Sequence, residues 1–134
     1  MKQLSIWGDS SSTLHTKDTA SEEALNRIFD TGSQRDDDSE KPLVNHLHPY
    51  LRLRFGYHMR VGADKYEKGN WEKGQPTEVA LESLHRHLAQ FELGDRSEDH
   101  LSAIIFNVML IMMNDKKDGV DPDNYFKKYL ASKK

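Results

Sequence analysis

The chain has 134 residues, the length of one domain, and contains no cysteine. The lack of cysteine excludes a disulfide framework and a thiolate zinc site. Its 19 Lys and Arg nearly balance its 22 Asp and Glu, for a net charge of -3, and this balance disfavours a nucleic-acid scaffold. No stretch has the pattern of a signal peptide or a membrane span. We therefore expect a cytoplasmic protein without a nucleic-acid or membrane partner.

The N-terminal part of the chain is polar and only weakly patterned. Residues 1–20 are rich in serine and threonine, which predicts an extended or loosely ordered arm. Ser21 is a typical N-cap, and the two acids after it suit the first turn of a short helix that ends at Gly32. Residues 33–41 then form a charged loop. We expect residues 21–134 to form a single helical domain.

Apolar residues spaced three or four apart predict a helical bundle. Its core helices are predicted at about 43–61, 77–93 and 98–113. A glycine-rich connector at 62–76 joins the first two, Ser97 is the predicted N-cap of the third, and a short helix follows at 125–130. The third helix is apolar nearly all round, which is typical of a helix buried in a core or between subunits. No strand pair is predicted, so the fold class is all-α.

Carboxylates on the second and third core helices form the candidate metal site. Glu78 and Glu82 are four residues apart and share one helix face. If the two helices pack antiparallel, Glu82 and either Glu98 or Asp99 would form an oxygen-only site suited to Mg²⁺ or Mn²⁺. The competing interpretation is a solvated polar face on which Glu82 pairs with Arg86, four residues later.

A second group of polar residues could contact a polyphosphate. Asn107 lies in the apolar stretch, where a buried amide needs partners, and His100 lies seven residues earlier on the same side. Tyr66 and Trp71 could stack on a base, although core packing or an oligomer contact explains them equally well. The candidate phosphate-binding cations are Arg35, Lys41, Lys65, Arg86 and His87.

Several known motifs are excluded. Residues 114–119 resemble the start of an EF-hand, but Tyr125 stands where the loop needs its final acid. His46 and His48 have no further ligands nearby. No phosphate-binding P-loop, nucleophile elbow or dinucleotide fingerprint occurs, and no His-Asp dipeptide supports a His-Asp phosphohydrolase.

Short segments in a fixed order carry a family resemblance. They are Thr31-Gly32-Ser33-x-Arg35-Asp36, Lys41-Pro42, Gly62-Ala63-x-Lys65-Tyr66, Asn70-Trp71-x-Lys73-Gly74-x-Pro76, Ser83-x-x-Arg86-His87-Leu88 and Glu98-Asp99-His100-Leu101-x-Ala103-x-x-x-Asn107. Over residues 29–112 this order resembles the phage-associated dATP/dGTP diphosphohydrolases, relatives of the MazG-like all-α nucleotide pyrophosphatases. No single segment is specific, but together they are.

The resemblance implies a metal-dependent hydrolase that cleaves dGTP or dATP to the monophosphate and pyrophosphate. It further implies two or three Mg²⁺ or Mn²⁺ ions per site, a dimer or a dimer of dimers, and the host cytoplasm if the protein is viral. The wider superfamily uses E-x-x-E and E-x-x-D pairs, from which this sequence departs because Glu78 and Glu82 are four apart and no E-x-x-D follows.

The resemblance and the residue chemistry together give a set of site residues. Glu82 and Glu98 are the candidates for activating the attacking water. The candidate metal ligands are Glu82, Glu98, Asp99, Asn107 and Glu78. The candidate nucleotide and phosphate contacts are Arg35, Asp36, Lys41, Lys65, Tyr66, Asn70, Trp71, Arg86, His87 and His100.

Two other functions remain open at this stage. One is a house-cleaning hydrolase of non-canonical nucleotides, with the same chemistry and a different base. The other is a non-catalytic helical module that oligomerises through the apolar third helix and whose acids are merely solvated. A nucleic-acid-binding regulator is disfavoured by the near-neutral charge.

Overall fold

The computed structural model describes residues 26–134, which form two short strands and four α-helices. The elements are β1 (Asn26–Ile28), β2 (Gln34–Asp36), α1 (Pro49–Lys65), α2 (Thr77–Glu92), α3 (His100–Lys117) and α4 (Pro122–Ser132). Short 3-10 helices lie at Val44–His46 and Asn70–Lys73. The chain divides into two compact units between Tyr50 and Leu51. The predicted all-α class is confirmed, and the predicted arm at 1–20 lies outside the described residues.

The first unit contains a small hairpin that the sequence did not predict. β1 and β2 pair antiparallel with Arg27 opposite Arg35, and Gly32 adopts a φ of 85° in the turn between them. The prediction of a helix that ends at Gly32 is therefore wrong for residues 26–28, which form a strand. Gly32 adopts the left-handed conformation of a tight turn here, and the β-branched Ile28 suits the strand before it. Ser21, the predicted cap, lies outside the described residues.

Two helix boundaries differ from the predicted ones for local reasons. α1 begins at Pro49, because proline lacks an N–H and is favoured in a first turn, and it continues through Gly62 to Lys65. α3 begins at His100, and its N-cap is Asp99 and not Ser97. The Asp99 carboxylate accepts the backbone N–H of Ser102 at 3.1 Å, which is the usual capping geometry.

In the second unit, α2 and α3 pack as an antiparallel pair. His100, Asn107 and Asn114 of α3 contact residues 87, 83 and 77 of α2, so the two sequences run in opposite directions. The buried apolar residues among those described are Ala80, Ala103 and Leu110. Two of the three are alanines, which let the helix backbones approach closely.

The connection between α2 and α3 is fixed by a glycine. Gly94 has a φ of 88°, its N–H bonds to the Phe91 carbonyl at 3.0 Å, and the Asp95 N–H bonds to the Gln90 carbonyl at 3.0 Å. This pair of bonds is the Schellman motif, which satisfies the last carbonyls of a helix. The turn therefore positions Asp95 at the end of α2. Across residues 26–134, none of the helices has the length and apolar character needed to cross a membrane.

Candidate functional site

A cleft of about 1150 Å³ lies entirely within the second unit. Its wall is made by α1, by the connector (residues 66–76), by α2 and by the first half of α3. Small-molecule sites have volumes of roughly 300–1,000 Å³, so a nucleotide fits into this space. The cleft is the candidate site, and its two sides differ in construction.

The first side is the α2–α3 wall, formed by the residues of these two helices that line the cleft. Asn107 is buried and donates to the Ser83 hydroxyl at 3.2 Å and to the Ala103 carbonyl at 2.9 Å. The predicted need of this amide for partners is thus met within the wall. Glu82 and Arg86 lie beside it as exposed residues that line the cleft.

The competing interpretation paired Glu82 with Arg86, but the ion pairs among residues 26–134 do not include this pair. Arg86 instead contacts the Ser83 hydroxyl through Nη2 at 3.4 Å, a long and weak bond. A guanidinium and a carboxylate therefore face the same cleft without neutralising each other. This arrangement leaves the Arg86 cation available for a phosphate group and the Glu82 carboxylate available for a water or a cation.

Asp99 is held by an ion pair with α1. Arg54 donates to both Asp99 oxygens at 2.8 Å, and the Ser102 hydroxyl donates to Oδ2 at 2.8 Å. These bonds stabilise the charged carboxylate, with the Arg54 hydrogen bonds the largest cause, and hold the pKa of Asp99 well below its usual range. The carboxylate also caps α3, so its lone pairs are largely used before any ligand binds.

Two histidines and two acids meet where α2 ends and α3 begins. Nδ1 of His87 lies 2.9 Å from Nδ1 of His100 and 3.2 Å from Oε1 of Glu98, which is 3.6 Å from Nδ1 of His100. Nε2 of His100 lies 3.1 Å from Oδ2 of Asp95. His100 is 2% exposed, whereas His87 and Glu98 line the cleft.

The protonation of this corner follows from burial and hydrogen bonding. The backbone N–H of Ser97 is the largest cause that lowers the pKa of Asp95 to about 2, so Asp95 is ionised at neutral pH. Desolvation lowers the pKa of His87, and the same cause lowers the pKa of His58 on α1. Both histidines are therefore neutral at neutral pH and retain a nitrogen lone pair.

The second side of the cleft is the connector wall. Lys65 at the end of α1 lies 5.5 Å from the ring of Tyr66, which is 66% exposed. Asn70 and Trp71 are half-buried in the short 3-10 helix, and Gly69 precedes them with a φ of 76°. Two aromatic rings, an amide and an ammonium group thus line the cleft on the connector side.

The side chains that could hold a divalent cation are mixed nitrogen and oxygen donors. Among residues 26–134, one group of three or more histidine or acidic side chains brings its ligand atoms within 4.8 Å of one another, and it consists of His87, Glu98 and His100. Glu82 adds a further carboxylate on the cleft wall. This donor chemistry fits a divalent cation. Asp99 is the acid least free to join, because Arg54 and Ser102 occupy it.

The structure brings together most of the residues predicted from the sequence. Those that line the cleft are Lys65, Tyr66, Asn70, Trp71, Glu82, Arg86, His87, Glu98, Asp99 and Asn107. His100 lies directly behind His87. Glu78 is exposed on α2 outside the cleft lining, and Arg35, Asp36 and Lys41 are exposed residues of the first unit. The roles of all these residues stay predictions.

Four residues that support the site were not among the predicted ones: Arg54, Ser83, Asp95 and Asn114. Asn114 donates to the Gln75 carbonyl at 2.8 Å and to the Thr77 hydroxyl at 3.0 Å, which ties the connector to α3. Asn114 and Gln75 are 39 residues apart, so no local sequence pattern could predict their contact. Ser83 did stand in the segment quoted for the resemblance, and Asp95 directly follows a helix-ending glycine.

Comparison with known proteins gives a family match. Residues 31–123 match the family model described as dATP/dGTP diphosphohydrolase, N-terminal. The match spans the whole cleft-forming part of the chain and more than half of its length. No curated protein and no solved structure matches the chain significantly.

Proposed function

Because the chain belongs to the dATP/dGTP diphosphohydrolase family, we propose that it hydrolyses dGTP or dATP to the monophosphate and pyrophosphate. The observation that carries this proposal is the cleft itself. It presents Glu82 and Glu98 with the cation of Arg86 on one wall, and Trp71 with Tyr66 on the other. Carboxylates, a guanidinium and aromatic rings are the groups needed to activate water, bind phosphate and stack on a base.

In the proposed reaction, water attacks the α-phosphorus. The water oxygen forms the new P–O bond, and the oxygen that bridged the α- and β-phosphorus leaves with pyrophosphate. Glu82 accepts the proton of the attacking water, because its carboxylate faces the cleft with no ion pair or hydrogen bond among the described residues. Arg86 and Lys65 offset charge on the phosphate oxygens. A divalent cation, when bound, supplies charge neutralisation of the triphosphate.

The α2–α3 wall supports a division of roles among the predicted site residues. Glu98 and His87 lie at the corner of the cleft, where a cation could be held, and Asp99 keeps α1 against α3 through Arg54. Asn107 fixes Ser83 and is better described as a support of the wall than as an ion ligand. Asn70 and Trp71 line the cleft from the connector, which supports a role in contacting the base or sugar.

We also propose that the protein works as a homo-oligomer. Leu53, Tyr57 and Val61 repeat every four residues along α1 and are 63%, 68% and 64% exposed, and Tyr57 and Val61 also belong to the cleft lining. An apolar stripe of this kind is typical of a helix that packs against a second copy. Light scattering coupled to size exclusion should give a dimer or larger, and Leu53→Glu should reduce the mass. A monomer at all concentrations would contradict this proposal.

The experiment that tests the reaction is a substrate panel. Purified protein with Mg²⁺ or Mn²⁺ is mixed with each of the eight common nucleoside triphosphates and with dITP, and the products are separated. We expect monophosphate and pyrophosphate from dGTP or dATP, and no product with excess chelator. Preference for dITP would favour the house-cleaning function. No turnover of any of the nine would favour the non-catalytic module.

A further inference from the structure

The corner of the cleft holds three atoms that can each donate a lone pair. They are Nδ1 of His87 on α2, Oε1 of Glu98 just before α3, and Nδ1 of His100 in the first turn of α3. The three mutual distances of 2.9, 3.2 and 3.6 Å are close to the edge of a tetrahedron around Zn²⁺, which is about 3.3 Å. His87 and Glu98 also face the cleft.

The three distances allow an ion to lie at bonding distance from all three atoms once the proton of the His87–His100 hydrogen bond is displaced. A triangle with these sides has a circumradius of about 1.9 Å, so an ion about 0.8 Å out of its plane would lie about 2.05 Å from each atom, the usual Zn–N distance. Three protein ligands occupy one side of such an ion. The remaining positions are left for water or for a phosphate oxygen, as in zinc sites with two histidines and a glutamate.

Asp95 fixes the orientation and the tautomer of the buried histidine. An ionised carboxylate only accepts hydrogen bonds, so Nε2 of His100 carries the proton and donates to Oδ2 of Asp95. The lone pair of a neutral His100 is then on Nδ1, the atom that faces His87 and Glu98. A carboxylate behind a histidine in this way is the usual outer shell of a metal-ligating imidazole.

We propose that His87, Glu98 and His100 bind one late first-row transition-metal dication, such as Co²⁺ or Zn²⁺, in preference to Mg²⁺. Imidazole nitrogens suit these ions, whereas Mg²⁺ prefers six oxygens in a near-ideal octahedron. The site differs from the oxygen-only site predicted from the sequence, because two of its three ligands are nitrogens. A catalytic role for this metal, next to the triphosphate in the cleft, rests on the proposed function. Metal binding by itself does not depend on that function.

Metal binding is measured on nucleotide-free protein that has been stripped with a chelator. Zn²⁺, Co²⁺ and Mg²⁺ are each titrated alone, with equilibrium dialysis for stoichiometry and visible absorption for Co²⁺. We expect one Zn²⁺ per chain, bound at least about 100-fold more tightly than Mg²⁺, and intense Co²⁺ bands of a low-coordinate site. Equal affinity for Mg²⁺ and Zn²⁺, or no binding of any of the three ions, would overturn the proposal.

The ligands are tested with variants that keep the fold. Because His100 is buried, His87→Ala and Glu98→Gln are the better substitutions, and their thermal unfolding is compared with that of the wild type. We expect Zn²⁺ affinity to fall at least about 100-fold in His87→Ala and about 10-fold in Glu98→Gln. The control His85→Ala removes an exposed histidine of the same helix and should change affinity less than about 2-fold. Unchanged affinity in His87→Ala would overturn the proposal.

Asp95 is a positioning residue, and Asp95→Asn tests that role. The amide oxygen can still accept from the Ser97 N–H, while its NH₂ would donate to Nε2 of His100 and move the imidazole proton to Nδ1. The hydrogen bond between residue 95 and the Ser97 N–H is thus kept, and the lone pair on Nδ1 of His100 is lost. We expect Zn²⁺ affinity to fall about 10- to 100-fold with little change in unfolding temperature. Unchanged affinity would contradict the tautomer argument.

The two proposals fail in different ways. If Zn²⁺ binds as expected and the nucleotide panel gives no product, the metal site stands and the proposed function fails. If nucleotides are hydrolysed with Mg²⁺ while His87→Ala leaves Zn²⁺ affinity unchanged, the function stands and this site fails.

Discussion

The two walls of the cleft are built differently, although they face the same space. The α2–α3 wall is held by side chains on both helices, by the buried Asn107, and by Arg54 donating to both oxygens of Asp99. The connector wall contains only the short 3-10 helix at Asn70–Lys73, which is flanked by Gly69 and Gly74, both with positive φ. Its attachment to α3 runs through Asn114 at its last residues, and Tyr66 at its start is 66% exposed.

The difference suggests a division between chemistry and recognition. Groups on rigid helices keep their positions when a substrate binds, which favours the steps that need fixed geometry. A glycine-bearing loop with an exposed ring can adjust to a base. Changes on the α2–α3 wall should therefore affect turnover or stability, and changes on the connector wall should affect substrate binding.

The largest expected effect is on turnover when the carboxylate on the α2–α3 wall is neutralised. Glu82→Gln should lower kcat by about 100-fold or more, which is the usual contribution of a general base. Because Glu82 is exposed, the free energy of unfolding should change by less than about 0.5 kcal/mol. Glu92→Gln at the end of α2 is the matched control and should keep full activity. A kcat within a few-fold of the wild type would remove Glu82 from the proposed reaction.

The next effect is on stability at the Arg54–Asp99 pair. Asp99→Asn weakens the N-cap and the two Arg54 bonds, and should lower the free energy of unfolding by about 2 kcal/mol at pH 7 in urea titrations. Asp64→Asn on α1, whose 3.7 Å pair with Arg60 is exposed, should change it by less than about 0.5 kcal/mol. Equal effects in both variants would mean that the Asp99 network does not hold the wall.

The same pair sets a pH dependence. The pKa of folded Asp99 lies below its unfolded value of about 3.9, so its stabilisation is fully present above about pH 5 and is lost as the pH falls through the folded pKa. The stability difference between the wild type and Asp99→Asn should therefore be constant from pH 7 to 5 and shrink below about pH 4. Urea titrations of both proteins at pH 7, 5, 4 and 3, after metal removal with a chelator, measure this difference. A difference that grows towards low pH would contradict the assignment.

The connector wall should respond through KM. Trp71→Ala removes a ring that can stack on the base, an interaction worth about 1–3 kcal/mol, so KM should rise about 10-fold or more while kcat changes less. Tyr125→Ala removes an exposed ring of α4 outside the cleft lining and is the control. A fall in kcat with unchanged KM would place Trp71 with the α2–α3 wall instead.

The smallest expected effect is at the turn behind the α2–α3 wall. Gly94→Ala forces a residue with a Cβ into a φ of 88° and should cost about 1–2 kcal/mol in the free energy of unfolding. Gly62→Ala, inside α1 with no atom within 4 Å of the added methyl, should be neutral or slightly stabilising. Thermal unfolding of the two variants checks the sign of each change.

Much of the fold could be predicted from the sequence where periodicity is strong. α2 was expected at 77–93 and spans Thr77–Glu92, and its pairing with α3 follows from a short connection after Gly94. The hairpin could not be predicted, because strands of three residues have no usable period. The start of α3 depended on whether Asp99 or Ser97 capped it. Both residues suit an N-cap, so only the three-dimensional contacts decide.

The sequence predicted which residues form the candidate site better than it predicted which of them contact each other. Polar residues of the quoted segments between Lys65 and Asn107 meet in one cleft, as the antiparallel packing of α2 and α3 favours, whereas Arg35, Asp36 and Lys41 do not line it. The pairing of Arg54 with Asp99 joins residues 45 apart, and the convergence of His87 with His100 depends on the turn between the helices. The spacing of these residues in the sequence does not reveal either contact. Glu98 was expected to have carboxylate neighbours and instead lies beside two imidazoles.

The central claim is that water attacks the α-phosphorus of a purine deoxynucleoside triphosphate in this cleft. Hydrolysis of dGTP and of dATP in H₂¹⁸O, followed by mass spectrometry of the products, tests it most directly. We predict one ¹⁸O atom in the deoxynucleoside monophosphate and none in pyrophosphate. Label in pyrophosphate would mean attack at the β-phosphorus, and label in inorganic phosphate with a diphosphate product would mean attack at the γ-phosphorus. Either result would contradict the proposed reaction.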